Sequence, residues 1–369
     1  MKYIDEYRNK DIVKYFANQI KTISNQPIRL MEVCGGHTMS IQKFGLPHLL
    51  PENVELISGP GCPVCVTGRE YVDRAIAYSR LEDVIITTYG DLIKVPGSSS
   101  SLEREKADGA DIRIIYSILD AMLIAKKNKS KRVVFLGIGF ETTAPASAAG
   151  IIKAQTASLT NFFVFSAHKV MPPAMESLID EGVQLDGYIG PGHVSTITGK
   201  GIYENIPKKF NMGVVISGFE PVDLMQSIHM LVKQKENNEA KVEIQYSRVV
   251  KPDGNKVAQD MLDEVFEPRD DWWRGLGVLK DSGLKIKRKY HKFDAEEMIK
   301  VEVEELKEPK GCICGLILRG EKKNQRIVNF LVRLVHQVTQ LEHAWFQAKG
   351  LAMPTTCTTD NKFIFCDND

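Results

Sequence analysis

Ile28-Arg29-Leu30-Met31-Glu32-Val33 runs directly into Cys34-Gly35-Gly36-His37-Thr38, and further on Val54-Glu55-Leu56-Ile57 leads into Gly59-Pro60-Gly61-Cys62-Pro63-Val64-Cys65. Each stretch reads as a short apolar strand that ends in a glycine-rich loop bearing thiols. Two such loops at the carboxyl ends of neighbouring strands are what an open α/β fold presents to a ligand. Three of the seven cysteines are gathered here.

Outward from this pair, apolar runs and helical patterns keep alternating. Residues 84–90, 132–137, 162–165, 187–189 and 213–216 read as buried strands, and 112–126 and 144–157 as helices. Ile12, Tyr15, Phe16, Ile20 and Ile23 mark the apolar face of an N-terminal helix. Continuous apolar strands separated by helices predict α/β units with parallel sheets covered on both faces. Gly139-Phe140-Glu141 and Gly218-Phe219-Glu220 each follow a strand, a weak repeat that fits more than one such unit or merely shared turn chemistry. The charged stretch 233–243 reads as a solvated helix end or loop. The expected organisation is 1–135 with the two thiol motifs, 136–282 as a second α/β unit, and 283–369 as a smaller irregular region holding Cys312-Ile313-Cys314.

The chain has 369 residues, 43% of them apolar and 26% charged, with a net charge of +1. Such a balance offers no field to draw nucleic acid or an anionic membrane. The charged N-terminus and the lack of a long apolar run argue against a signal peptide and a membrane span, so a cytoplasmic protein is expected. Thiols in such a setting bind metal or exchange electrons rather than staple the fold.

Cys62 and Cys65 have the spacing of a redox pair or of two metal ligands, and a helical pattern begins just beyond them. Cys34 and His37 bring a thiolate and an imidazole together across two glycines that admit a close ligand. His168 and His193 stand just past strands, where each either supports a site or caps a turn. Trp272-Trp273 and Met171-Pro172-Pro173 read as packing, and no phosphate loop, dinucleotide fingerprint or serine elbow is present.

Five motifs now stand in order: Cys34–Thr38, Gly59–Cys65, Gly139–Pro145, Ser166–Lys169 and Cys312–Gly315. In this the chain resembles the hydrogenase formation protein HypD family, from near its start to about Lys323. The resemblance implies a scaffold with redox activity rather than a turnover enzyme, on which the iron centre of nickel–iron hydrogenases, Fe(CN)2CO, is assembled. It implies a HypC-type chaperone and a HypE-type cyanide donor as partners, and a 4Fe–4S cluster near the C-terminus. It makes Cys34 the thiolate holding the iron, with His37 and Thr38 lining the site. Cys62 and Cys65 become the electron relay, Glu141 joins the same cleft, His168 and His193 support it, and Cys312 and Cys314 are cluster ligands. Two other classes compete: a thiol oxidoreductase using Cys62 and Cys65, and a zinc protein with Cys34, His37, Cys62 and Cys65 as a tetrahedron.

The tail departs from the family. Beyond Cys314 only Cys357 and Cys366 remain, where the resemblance leads one to expect four cysteines completing the cluster. Read with each codon's third base joined to the next codon's first two, Ile327-Val328, Leu334-Val335, His343-Ala344 and Leu351-Ala352 all yield cysteine under permitted synonymous codons. That pattern predicts a one-base slip near codon 323. As written, 328–341 is apolar enough to form a sticky helix.

Overall fold

The computed structural model describes residues 5–303 together with Leu316 and Arg319. Cys312 and Cys314, the later Cys357 and Cys366, and the apolar stretch 328–341 lie outside the described residues.

In chain order the described strands are β1 (Ile28–Glu32), β2 (Val54–Ser58), β3 (Val84–Thr88), β4 (Ile112–Ile114), β5 (Arg132–Gly139), β6 (Phe162–His168), β7 (Gly187–Pro191), β8 (Gly213–Ser217), β9 (Val242–Ile244), β10 (Phe266–Trp273) and β11 (Gly277–Ile286). They form a parallel five-stranded sheet, β2-β1-β7-β8-β9, a parallel four-stranded sheet, β4-β3-β5-β6, and the antiparallel hairpin β10-β11. Every residue of β3, β6, β7 and β8 is buried, which is why these strands read as unbroken apolar runs. The expected α/β class with parallel sheets is therefore observed.

The sheets do not divide the chain at residue 135. That boundary falls inside β5, and residues 84–168 supply the four-stranded sheet, while the five-stranded sheet draws on both sides of them. The second sheet is thus inserted between β2 and β7 of the first. Within each sheet the order is that of a doubly wound fold, with its first strand flanked by the second and the third. The two Gly-Phe-Glu turns are not equivalent in this scheme, because one follows the third strand of its sheet and the other the fourth.

Local corrections have local causes. Ile112–Ile114 pairs with β3 rather than opening a helix. The helix Ile118–Lys127 starts only at Ser117, whose hydroxyl and the Asp120 carboxylate form a capping box. The N-terminal helix Lys10–Ile23 buries Val13, Ala17 and Ile20 against Val222, Met225 and Leu231, and leaves Ile12 and Tyr15 exposed. The helix Pro221–Glu236 extends into the charged stretch, whose end returns to the sheet as β9. Trp273 is fully buried, packing as expected, in a core that joins Met31 and Ile57 of the first sheet to Phe140 and Met171 beyond the second.

Candidate metallocentre and thiol site

Four neighbouring parallel strands, β2, β1, β7 and β8, end on one edge of the five-stranded sheet. Their carboxyl ends deliver Gly59–Cys65, Cys34–Thr38, Gly192-His193 and Phe219-Glu220. The winding of the sheet reverses between β1 and β7, so the Cys34 loop and the His193 loop open at the crevice where such folds bind ligands.

Cys34 stands at the N-cap of the helix Gly35–Lys43, and its carbonyl accepts from the His37 and Thr38 N–H groups. The loop after β2 crosses it closely. Gly35 N–H donates to the Gly61 carbonyl (3.1 Å), and a Cβ on Gly61 would stand 2.4 Å from Cys34 N. Only glycine permits that approach. Cys62, the next residue, caps the four-residue helix Pro63–Val66, with its Sγ accepting from Cys65 N–H (3.3 Å). The loops that carry Cys34 and the Cys62–Cys65 pair thus cross at Gly61.

Beneath the crossing lies a buried acid that the motifs do not single out. Glu32, the last residue of β1, accepts from Cys34 N–H (3.2 Å) and from the Thr38 hydroxyl (2.5 Å). Burial pushes its pKa up to about 8 against the pull of these bonds and one from Ser58. Glu141, after β5, is also buried. Its Oε1 accepts from Met171 N–H (2.9 Å), while Oε2 has no hydrogen-bond partner among the described residues. Burial pushes this carboxyl up to about 7. Tyr203, fully buried nearby, feels both Glu141 and Cys34 and shares a contact with Ser195 (3.3 Å).

His37 is fully buried. Its Nε2 lies 3.3 Å from the Ser217 carbonyl, which assigns the proton there and leaves Nδ1 as an acceptor without a hydrogen-bond partner among the described residues. Burial first, then the neighbouring His193, pulls its pKa down to about 3, so the ring is neutral. Phe219 stacks with both histidines, 4.7 Å from His37 and 3.9 Å from His193. Cβ atoms on Gly36 and Gly192 would come within 3.1 and 3.2 Å of this ring, so the glycines of two motifs make its seat.

The Hydrogenase formation hypA family model, HypD, matches residues 11–333. The chain belongs to the HypD family. Hydrogenase maturation factor HypD2 of Bradyrhizobium diazoefficiens is 47% identical over 336 residues, covering 88% of each chain. Hydrogenase maturation factor HypD of Rhodobacter capsulatus is 42% identical over 336 residues, and that of Escherichia coli 41% over 332, each covering 88% of this chain and 89% of the relative. A HypD chain is a hydrogenase maturation factor, so this one takes part in maturing the hydrogenase metal centre. No helix among the described residues is long and apolar enough to cross a membrane.

Of the residues expected at the site, Cys34 and Thr38 share Glu32 as acceptor, Cys62 and Cys65 follow the Gly61 crossing, and His37 and His193 flank Phe219. His168 is elsewhere. It is buried on the second sheet, its Nε2 3.0 Å from Ser147 Oγ and its Nδ1 3.1 Å from Ser166 Oγ, with Phe266 beside it. Both ring nitrogens are satisfied there, and burial pulls its pKa down to about 3. Glu220 follows the bland reading, capping the helix Pro221–Glu236 and pairing with Arg8 (2.6 Å). Glu32, Phe219 and Tyr203 were missed. The signal for Glu32 was a carboxylate at the buried end of the strand, two residues before a cysteine.

Proposed function

We propose that this HypD chain is the scaffold on which Fe(CN)2CO is assembled, with Cys34 as its thiolate anchor. The observation that supports the reading is the crossing of two loops, one bearing Cys34 and the other Cys62 and Cys65, at the edge of the sheet where such folds bind ligands. Soft thiolate suits low-spin iron, and a cargo that arrives with cyanide and carbon monoxide asks for few protein donors. Metal analysis separates this reading from the zinc tetrahedron of Cys34, His37, Cys62 and Cys65: bound zinc without iron would favour the tetrahedron. A HypC-type chaperone would supply a second thiolate to the iron, and a HypE-type protein the cyanide.

In this reading each residue has a task the geometry suits. Glu32 holds the Cys34 backbone and the Thr38 hydroxyl in place. His37 offers an acceptor nitrogen in a dry site, and Phe219 fixes its ring. Cys62 and Cys65 exchange electrons as dithiol and disulfide. Glu141 keeps a proton near neutral pH close to Tyr203. Cys312 and Cys314 would supply two of the four thiolates that a 4Fe–4S cluster takes.

The test is an infrared spectrum of the full chain, purified without air together with a HypC-type chaperone. Cyanide and carbon monoxide stretching bands that vanish in C34A support the scaffold. A chain without those bands that instead turns over a disulfide substrate through Cys62 and Cys65 is a thiol oxidoreductase.

A further inference from the structure

Ser166-Ala167-His168-Lys169 is the motif that the thiol crossing leaves unexplained, and Lys169 is its more unusual member. The side chain is 1% exposed yet bears an amine. Its Nζ donates to Asp271 Oδ2 (2.6 Å) and to the Trp272 carbonyl (2.9 Å), and stands 5.2 Å from the Trp273 ring. Burial lowers the pKa of this amine while Asp271 pulls the other way. A buried lysine needs a partner fixed in place. Here the partner is on β10, so the pair fastens the β10-β11 hairpin to the end of β6. Val170 N–H donating to the Ser282 carbonyl (3.0 Å) and an antiparallel bridge between Lys169 and Gly283 repeat the fastening.

The same hairpin grips the chain just beyond the dithiol. Trp273 forms an antiparallel bridge with Thr67, and Arg274 N–H donates to the Val66 carbonyl (2.7 Å). A Cβ on Gly68 would stand 2.9 Å from the Trp272 ring, and Trp273 stacks on Phe140 at 5.9 Å. Asp271, Trp272 and Trp273 therefore contact Lys169 on one side and hold residues 66–68 on the other. Val66 follows Cys65 directly.

We infer that Lys169 is a positioning residue for the Cys62–Cys65 pair, acting through Asp271 and the two tryptophans. The inference rests on the redox reading of that pair. Lys169 touches neither sulfur. It holds the hairpin that keeps the short helix Pro63–Val66 in the geometry where Cys62 Sγ accepts the Cys65 N–H. A hydrogen bond onto sulfur favours the form that carries charge, the reduced one. Loosening the hairpin therefore makes the pair easier to oxidise.

The exchange with glutathione measures this. The two thiols and one oxidised glutathione give the protein disulfide and two reduced glutathiones, so two electrons and two protons pass to the glutathione sulfurs. The full chain is equilibrated without air at defined glutathione ratios, alkylated, and read by mass spectrometry on the peptide holding Cys62 and Cys65. K169M and D271N should raise the oxidation equilibrium constant by about tenfold or more, a potential ~30 mV more negative. D83N, which breaks only the exposed pair with Arg132, should leave it unchanged. A folded K169M or D271N within twofold of the parent overturns the inference. Where neither folds, G68A presses on Trp272 from the dithiol side: a tenfold rise supports the linkage, and an unmoved constant overturns it. A parent chain that forms no Cys62–Cys65 disulfide at any ratio refutes the redox reading itself. A reversible parent with unmoved variants refutes this inference alone.

Discussion

Alanine at Gly61 tests whether the two thiol loops truly cross. The added Cβ would lie 2.4 Å from Cys34 N, 2.6 Å from its Cα and 2.7 Å from its carbonyl carbon. All three are backbone atoms, so no side chain can swing aside and one loop must move. Movement breaks the 3.1 Å bond from Gly35 N–H to the Gly61 carbonyl. Overpacking of this kind costs about 1–3 kcal/mol, and the lost hydrogen bond adds ~1 kcal/mol. Urea denaturation followed by tryptophan fluorescence should therefore show G61A less stable by about 2–4 kcal/mol. Gly201 is the control, because a Cβ there meets nothing within 4 Å. G201A should be neutral or up to about 1 kcal/mol more stable. A G61A chain with the parent's midpoint and slope would refute the close approach, and with it the crossing of the two thiol loops.

Other outcomes follow from the same geometry. C34A should lose the cyanide-bearing iron yet keep its circular dichroism spectrum, and infrared bands persisting in that variant would remove Cys34 as the anchor. Phe219 is buried between two histidine rings, so F219A should cost about 3–5 kcal/mol in the same denaturation assay and release both rings; an unchanged stability would contradict the stack. The Glu141 carboxyl, near 4.5 in an unfolded chain, is raised to about 7 by burial, so the folded form binds its proton more tightly. Its contribution is fully present below the unfolded value and is lost as pH rises through about 7. E141Q should flatten that decline by up to ~3 kcal/mol between pH 5 and 8, and parallel pH profiles for parent and variant would show that Glu141 is not held protonated. Sequencing an independent clone across codon 323 should reveal the one-base slip, whereas a continuous frame there would disprove it.

Much of the site was legible because the chemistry is local. Cys34 and His37, and Cys62 and Cys65, are each three residues apart and come soon after an apolar run, which by itself points to the end of a strand. Features that depend on several distant segments were not legible. Phe219 looks like part of a turn, and its place between His37 and His193 exists only because β1, β7 and β8 are neighbours in one sheet. His168 shows the reverse case. It ends a strand of the same kind as the one before His193, yet it bonds Ser147 of the packed helix and Ser166 of its own strand.

The sequence by itself determined the α/β class, seven of the eleven described strands, a few of the helices, and the loops in which the candidate thiols stand. Periodicity, caps and glycines act within a few residues, so they can be read along the chain. Only the tertiary structure decided which strands share a sheet, that the second sheet is inserted into the first, and that Glu32 lies under Cys34 with Lys169 fastening the hairpin behind Cys65. Those facts depend on packing between segments far apart in sequence, and burial alone turns Glu32, Glu141, His37 and Lys169 from ordinary side chains into shifted ones.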